Sequence, residues 1–79
     1  MRVVAKRALR EFWENFPDAE QPLKAWFRFA SSASWETPAQ IKAQFGKASL
    51  LRRSRVVFNI AGNKYRLVVF VRYDLQKIY

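Results

Sequence analysis

The sequence predicts an α+β fold: two N-terminal helices plus a short third, packed on one face of a small antiparallel sheet. Three observations carry this. Leu9, Phe12, Trp13 and Phe16, and then Ala19, Leu23, Trp26, Phe27 and Ala30, recur with the spacing of two amphipathic helices. Thr37-Pro38-Ala39-Gln40 is a helix start signal ahead of a shorter stripe, Ile41 and Phe45. From Arg55 to Tyr73 apolar residues alternate on either side of Ala61-Gly62-Asn63, the pattern of a β-hairpin. Helices segregated on one face of an antiparallel sheet form a two-layer domain.

In chain order, Arg2-Val3-Val4 is a short first strand. The first helix runs from about Lys6 to Phe16, and Pro17 ends it by disfavouring helical backbone in the residue before it. Asp18 is then expected as N-cap of the second helix, with Gln21 closing a capping box and Pro22 in the first turn, where its missing N–H costs little. Trp13, Trp26 and Phe27 lie on apolar stripes, which assigns them to the core rather than to base stacking. Ser31-Ser32-Ala33-Ser34 breaks the chain before the third helix, and Gly46 stops that helix. Lys47 to Ser54 is a basic loop tethered by Leu50-Leu51. Asp74-Leu75-Gln76 is a second turn, leading to a strand begun by Lys77-Ile78-Tyr79 with Ile78 inward.

The chain has 79 residues, the length of one domain spanning 1–79, and is 51% hydrophobic, rich enough for a core. It contains no cysteine and no histidine, which removes disulfides, thiolate metal sites and the commonest general base together. With Asp74 as the only acid after Glu36, a two-metal nuclease site has no ligands in that half. The expectation is therefore no metal and no cofactor. No apolar run approaches the roughly 20 residues that span a bilayer, and no apolar leader is evident, so no membrane partner and a cytoplasmic location are expected.

The formal net charge is +9. Residues 1–41 hold six Lys/Arg against five Asp/Glu, whereas residues 42–79 hold nine against one. That one-sided excess is the electrostatic footprint of a polyanion binder. Alternation says where it sits. Val56, Phe58, Ile60, Tyr65, Leu67, Val69, Val71 and Tyr73 line one face of the hairpin; Arg55, Val57, Asn59, Lys64, Arg66, Val68, Phe70 and Arg72 line the other. The first face suits a core and the second suits a polyanion, nucleic acid or an acidic partner. A helix-turn-helix DNA binder is the weaker reading, because the exposed faces of the two long helices carry nearly balanced charge.

Val57-Phe58-Asn59-Ile60 followed by Gly62-Asn63-Lys64-Tyr65-Arg66-Leu67-Val68-Val69 resembles the hairpin of HigB toxins, in the RelE-like group of bacterial type II toxin–antitoxin systems. The run Lys6 to Glu14, the segment Pro17 to Leu23, and Trp35 to Phe45 resemble the helical half of the same family. The resemblance implies a RelE-like fold and an mRNA endonuclease working on the ribosome, neutralised by a HigA-like antitoxin. It also implies a metal-independent reaction in which a ribose 2′-hydroxyl attacks its adjacent phosphate. HigB-like chains continue with another strand and a segment close to Thr-His-x-Glu-Tyr-Asp. No such segment follows Tyr79 here, so the expectation is a C-terminally shortened toxin with an unpaired sheet edge and reduced or lost activity.

Carried over by residue, Arg66 matches the arginine of the hairpin motif and is the first catalytic candidate. Arginine stays charged and grips phosphate with parallel donors. Lys64 is the second candidate, as a base whose pKa would be lowered if it were desolvated among cations. Arg55 and Asn59 on the neighbouring strand, Arg72 farther along, and Arg52 and Arg53 in the basic loop are expected to hold RNA. The alternative is a catalytically inactive module that binds RNA or an antitoxin through the same face.

Overall fold

The computed structural model describes all residues from Met1 to Tyr79. Its elements are β1 (Arg2–Val3), α1 (Lys6–Asn15), a 3-10 turn (Pro17–Ala19), α2 (Glu20–Ser32), α3 (Pro38–Gln44), β2 (Ser49–Leu50), β3 (Arg55–Ile60), β4 (Tyr65–Arg72) and β5 (Lys77–Ile78). The five strands form one sheet in the order β1-β5-β4-β3-β2. All neighbours are antiparallel except β1 and β5, which run parallel. The α+β layer is therefore as expected, with one parallel pair at its edge.

The hairpin organises the core. Val56, Phe58, Ile60, Val69 and Val71 are buried, and Tyr65, Leu67 and Tyr73 are partly so, matching the inward set read from the alternation. Phe58 is 1% exposed and meets Trp26, Trp35 and Phe45 at ring-centroid distances of 5.3, 6.3 and 5.1 Å. The tryptophans are thus packing residues. No charged side chain is buried. In α1 only Leu9 is fully buried; Phe12 and Phe16 stay partly exposed and stack at 4.8 Å, with Phe12 also 5.3 Å from Tyr65.

Several local expectations are corrected. Asp18 does not cap α2: it lies inside the 3-10 turn, Ala19 takes the N-cap position without a side-chain bond, and the Asp18 carboxylate bonds Lys64 and Tyr65. A carboxylate with a cation and a phenol in reach satisfies its oxygens there rather than on helix N–H groups. Thr37 does cap α3, accepting from the Gln40 N–H at 3.4 Å, but Gln40 Oε1 reaches back to the Glu36 N–H, one residue before the box position. Leu50 and Leu51 are exposed, and Ala48 is the buried anchor of that segment. Part of the loop pairs with β3 as β2, through Ser49 opposite Val57 and Leu50 opposite Val56.

Two turns set the hairpin's geometry. Ala61 and Gly62 both adopt positive φ (54° and 70°), and Lys64 N–H closes the turn on the Ala61 carbonyl at 3.3 Å. Glycine takes that backbone without a Cβ penalty; Ala61 does not. Between β2 and β3, Arg53 and Ser54 have φ near 60°. The Ser54 carbonyl accepts from Val71 N–H at 2.9 Å, which pins this basic turn beside the C-terminal end of β4.

Candidate nucleic-acid interface

The open face of the sheet is built in rows by strand register, since cross-strand partners project to the same side. Asn59 sits directly opposite Arg66. Val57 and Val68 form the next row, and Arg55 pairs with Phe70 in the row after that. Phe70 also exchanges both backbone bonds with Tyr79, at 3.0 and 2.9 Å, and the two rings lie 6.3 Å apart. The last row brings Arg72, Lys77 and Arg2 side by side.

The face therefore has two cationic ends with apolar and aromatic side chains between them. Arg66 and Asn59 occupy the hairpin-turn end. Arg55, Arg72, Lys77 and Arg2 occupy the other, with Arg52 and Arg53 in the adjoining turn. Arg66 and Phe70 are four residues apart on β4, about 13 Å at the rise of an extended strand. Of the two neighbouring-strand candidates, pairing brings Asn59 to Arg66, and Arg55 is held away by that separation.

The cations differ in what they already hold. Arg66, Arg55, Arg52 and Arg53 make no ion pair or side-chain hydrogen bond within the chain. Arg72 donates from Nε and Nη2 to the Asp74 carboxylate at 3.0 and 2.8 Å. That pairing holds Asp74 below the ordinary carboxylate value and raises Arg72. Lys64 is bonded to Asp18, which also accepts from the Tyr65 hydroxyl at 2.7 Å. The Lys64 ammonium is the main cause holding Asp18 below its ordinary 3.8; in turn Asp18 raises Lys64 above 10.5 and Tyr65 above 10.0.

This reverses the expectation for Lys64. It is exposed and acid-paired rather than desolvated among cations, so its pKa moves away from that of a base at neutral pH. Proline-to-alanine segment 17–19 delivers its acid to the hairpin turn from 46 residues away, a contact no local spacing announces. Sequence reading also missed Arg2 and Lys77, which only the β1-β5-β4 pairing brings to Arg72. No group of three His, Cys, Asp or Glu side chains comes together, and no helix is long and apolar enough to cross a membrane.

A helix-backed sheet whose uncovered face presents free arginines around two aromatic rings defines a small basic domain suited to a single-stranded polyanion. The profile of HigB toxins, described as the RelE-like toxic component of a toxin–antitoxin system, matches residues 19–79. The chain belongs to the HigB toxin family. It is 27% identical over 81 aligned positions to the mRNA interferase toxin HigB of Escherichia coli K12, an alignment covering 100% of this chain and 78% of that protein. The mRNA interferases HigB of Escherichia coli O157:H7 and of Shigella flexneri match with the same identity and coverage.

Proposed function

We propose that this chain is a ribosome-associated mRNA endonuclease, held in check in the cytoplasm by a HigA-like antitoxin. The observation that carries the reading is the full-chain similarity to proteins named mRNA interferase HigB. RNA lies across the open sheet face. Arg66, unpaired and beside the Asn59 amide, grips the phosphate at the cut and stabilises the charge that develops as the 2′-hydroxyl attacks. Phe70 and Tyr79 supply ring surfaces for neighbouring bases. Arg55, Arg72, Lys77, Arg52 and Arg53 hold the strand on either side of them through its phosphates. The arginine supplies the electrostatic part of catalysis. The chemistry assigned to these residues uses no metal.

The test is induction of the 79-residue chain beside its Arg66→Ala variant, with growth and mRNA cleavage followed together. Growth arrest with cut mRNA is expected, and the alanine should slow cleavage by about 100-fold, the effect of deleting one donor to a developing anion. An intact mRNA pool after induction of the unaltered chain would sink the nuclease reading and leave a binding module.

A further inference from the structure

β2 covers only part of the outer edge of β3. Its pairing stops at Ser49, opposite Val57. On that side Leu51 donates its N–H to the Arg55 carbonyl at 2.8 Å, and in an antiparallel ladder the groups on one side belong to alternate residues. Val57 and then Asn59 therefore turn their N–H and C=O groups to the same edge. At Asn59 the chain ahead of β2 has bent away, and these two main-chain groups have no partner there. The Asn59 side-chain amide, on the open face, makes no hydrogen bond within the chain either.

A crevice of about 290 Å³ opens at this point, between the end of α3 and the hairpin turn, lined by Phe45, Gly46, Lys47, Asn59 and Gly62 among others. Its far wall is pinned. Ala48 donates its N–H to the Phe45 carbonyl at 2.9 Å, and Lys42 Nζ donates to the Ala48 carbonyl at 2.6 Å. The Phe45 ring is held by Phe58 and Trp35, at centroid distances of 5.1 and 5.9 Å. A Cβ added at Gly46 or Gly62 would meet nothing within 4 Å, so both glycines border open space. The crevice thus combines one donor–acceptor pair, one ring and one exposed cation, Lys47.

Two limits choose the occupant. β2 closes the edge on one side of Asn59 and the Ala61–Gly62 turn closes it on the other, which leaves one residue's groups free, too few for an added strand. A planar base meets both requirements: its edge carries an acceptor beside a donor, and its face stacks on a ring. Asn59 also lies across from Arg66, one strand spacing away, about 5 Å. A nucleotide whose phosphate is held by Arg66 has its base within reach of the β3 edge.

Building on the reading that RNA lies across the open face, we propose that this crevice takes one nucleobase of that strand and reads it. The Asn59 N–H donates to a ring nitrogen or keto oxygen of the base, and the Asn59 carbonyl accepts from the neighbouring N–H. Phe45 covers the base, and Lys47 meets a flanking phosphate. The rings of Phe70 and Tyr79 hold any base; the crevice gives the strand its sequence preference.

The experiment measures binding of the 79-residue chain, at fixed salt, to eight-nucleotide oligomers of adenosine, cytidine and uridine, each 2′-O-methylated so that it cannot be cut. Affinities should span at least about tenfold, the scale of one read base edge. Gly46 is exposed and its φ is not positive, so Gly46→Leu fills the crevice without backbone strain. It should bring the three affinities within about twofold of one another at an unchanged urea midpoint. Phe70→Ala should weaken all three and keep their spread. If Gly46→Leu lowers the midpoint, Asn59→Pro decides: it removes the edge N–H, spares the β4 ladder and should also level the three.

A spread that survives filling of the crevice would assign the preference to the open-face rings and overturn the proposal. Equal affinity of the parent chain for all three oligomers would overturn it too, while leaving RNA on the sheet face. Binding to none of them would overturn the RNA reading itself, and the base site with it.

Discussion

The two faces of the β3–β4 hairpin share one backbone and are held to opposite requirements. The inner face buries Val56, Phe58, Ile60, Val69 and Val71 without a single charged neighbour in the core. The outer face leaves Val68 and Phe70 at 56% and 39% exposure beside unpaired arginines. Apolar side chains alone therefore do not separate core from site here; the company they keep does. Inside, aromatic rings fill volume against other rings. Outside, a ring flanked by cations remains available to a ligand. Changes on the inner face should cost stability, and changes on the outer face should cost RNA handling while leaving the fold intact.

The largest break in that division is Phe58→Ala. The ring touches Trp26, Trp35 and Phe45 and is 1% exposed, so truncation leaves a cavity. Loss of such a ring costs about 3–5 kcal/mol. A domain of this length has roughly 4–12 kcal/mol in total. Urea unfolding should show a large fall in the midpoint, down to zero denaturant if the parent lies at the low end of that range. A shift below about 1 kcal/mol would mean that the inner face is not the core it is taken for here.

Arg66→Ala and Phe70→Ala sharpen the other side. Arg66→Ala should leave the urea midpoint unchanged while slowing cleavage about 100-fold. Phe70→Ala should weaken single-stranded RNA binding about tenfold, the scale of one lost base-stacking ring, again at constant stability. Filter binding at fixed salt measures it. If Phe70→Ala destabilises the chain as Phe58→Ala does, its packing on Tyr79 is structural and the ring is not a platform for RNA.

Much of this division is legible in the sequence, and the reason is geometric. Period-two alternation assigns Phe58 inward and Arg66 outward without knowledge of the partner layer, and Ile78 followed the same logic into the core. The rows across the sheet were legible only where strands are joined by a tight turn, as for Asn59 and Arg66. Arg2 joins Lys77 and Arg72 through a parallel pairing between the chain's two ends, and a two-residue strand carries no periodicity to announce it. Leu50 and Leu51 misled because an apolar pair in a loop is no evidence of burial. Asp18 misled for a different reason. Its spacing to Gln21 fits a capping box, but a carboxylate goes to the strongest donors in reach, and those were on the hairpin.

The smallest effect separates Lys64 from Arg66 as cations on one strand end. Asp18 has its pKa depressed in the folded chain, mainly by Lys64 and then by Tyr65, so its contribution is present above the ordinary carboxylate value of 3.8 and is lost as pH falls through the lower folded value. Lys64 and Tyr65 are raised, so their contributions are complete below 10.5 and 10.0 and are lost as pH rises through the higher folded values. Asp18→Asn removes the shared acid from all three. The variant should be slightly less stable than the parent between about pH 5 and 9, because an exposed pair contributes little, and the gap should close at both extremes. Urea midpoints for parent and variant across pH test this. A gap that stays constant into acid would mean that Asp18 acts through shape and not charge. If the freed Lys64 in Asp18→Asn raised cleavage severalfold, the acid would be holding back a second catalytic cation, and the contrast between paired Lys64 and unpaired Arg66 would be one of regulation and not of role.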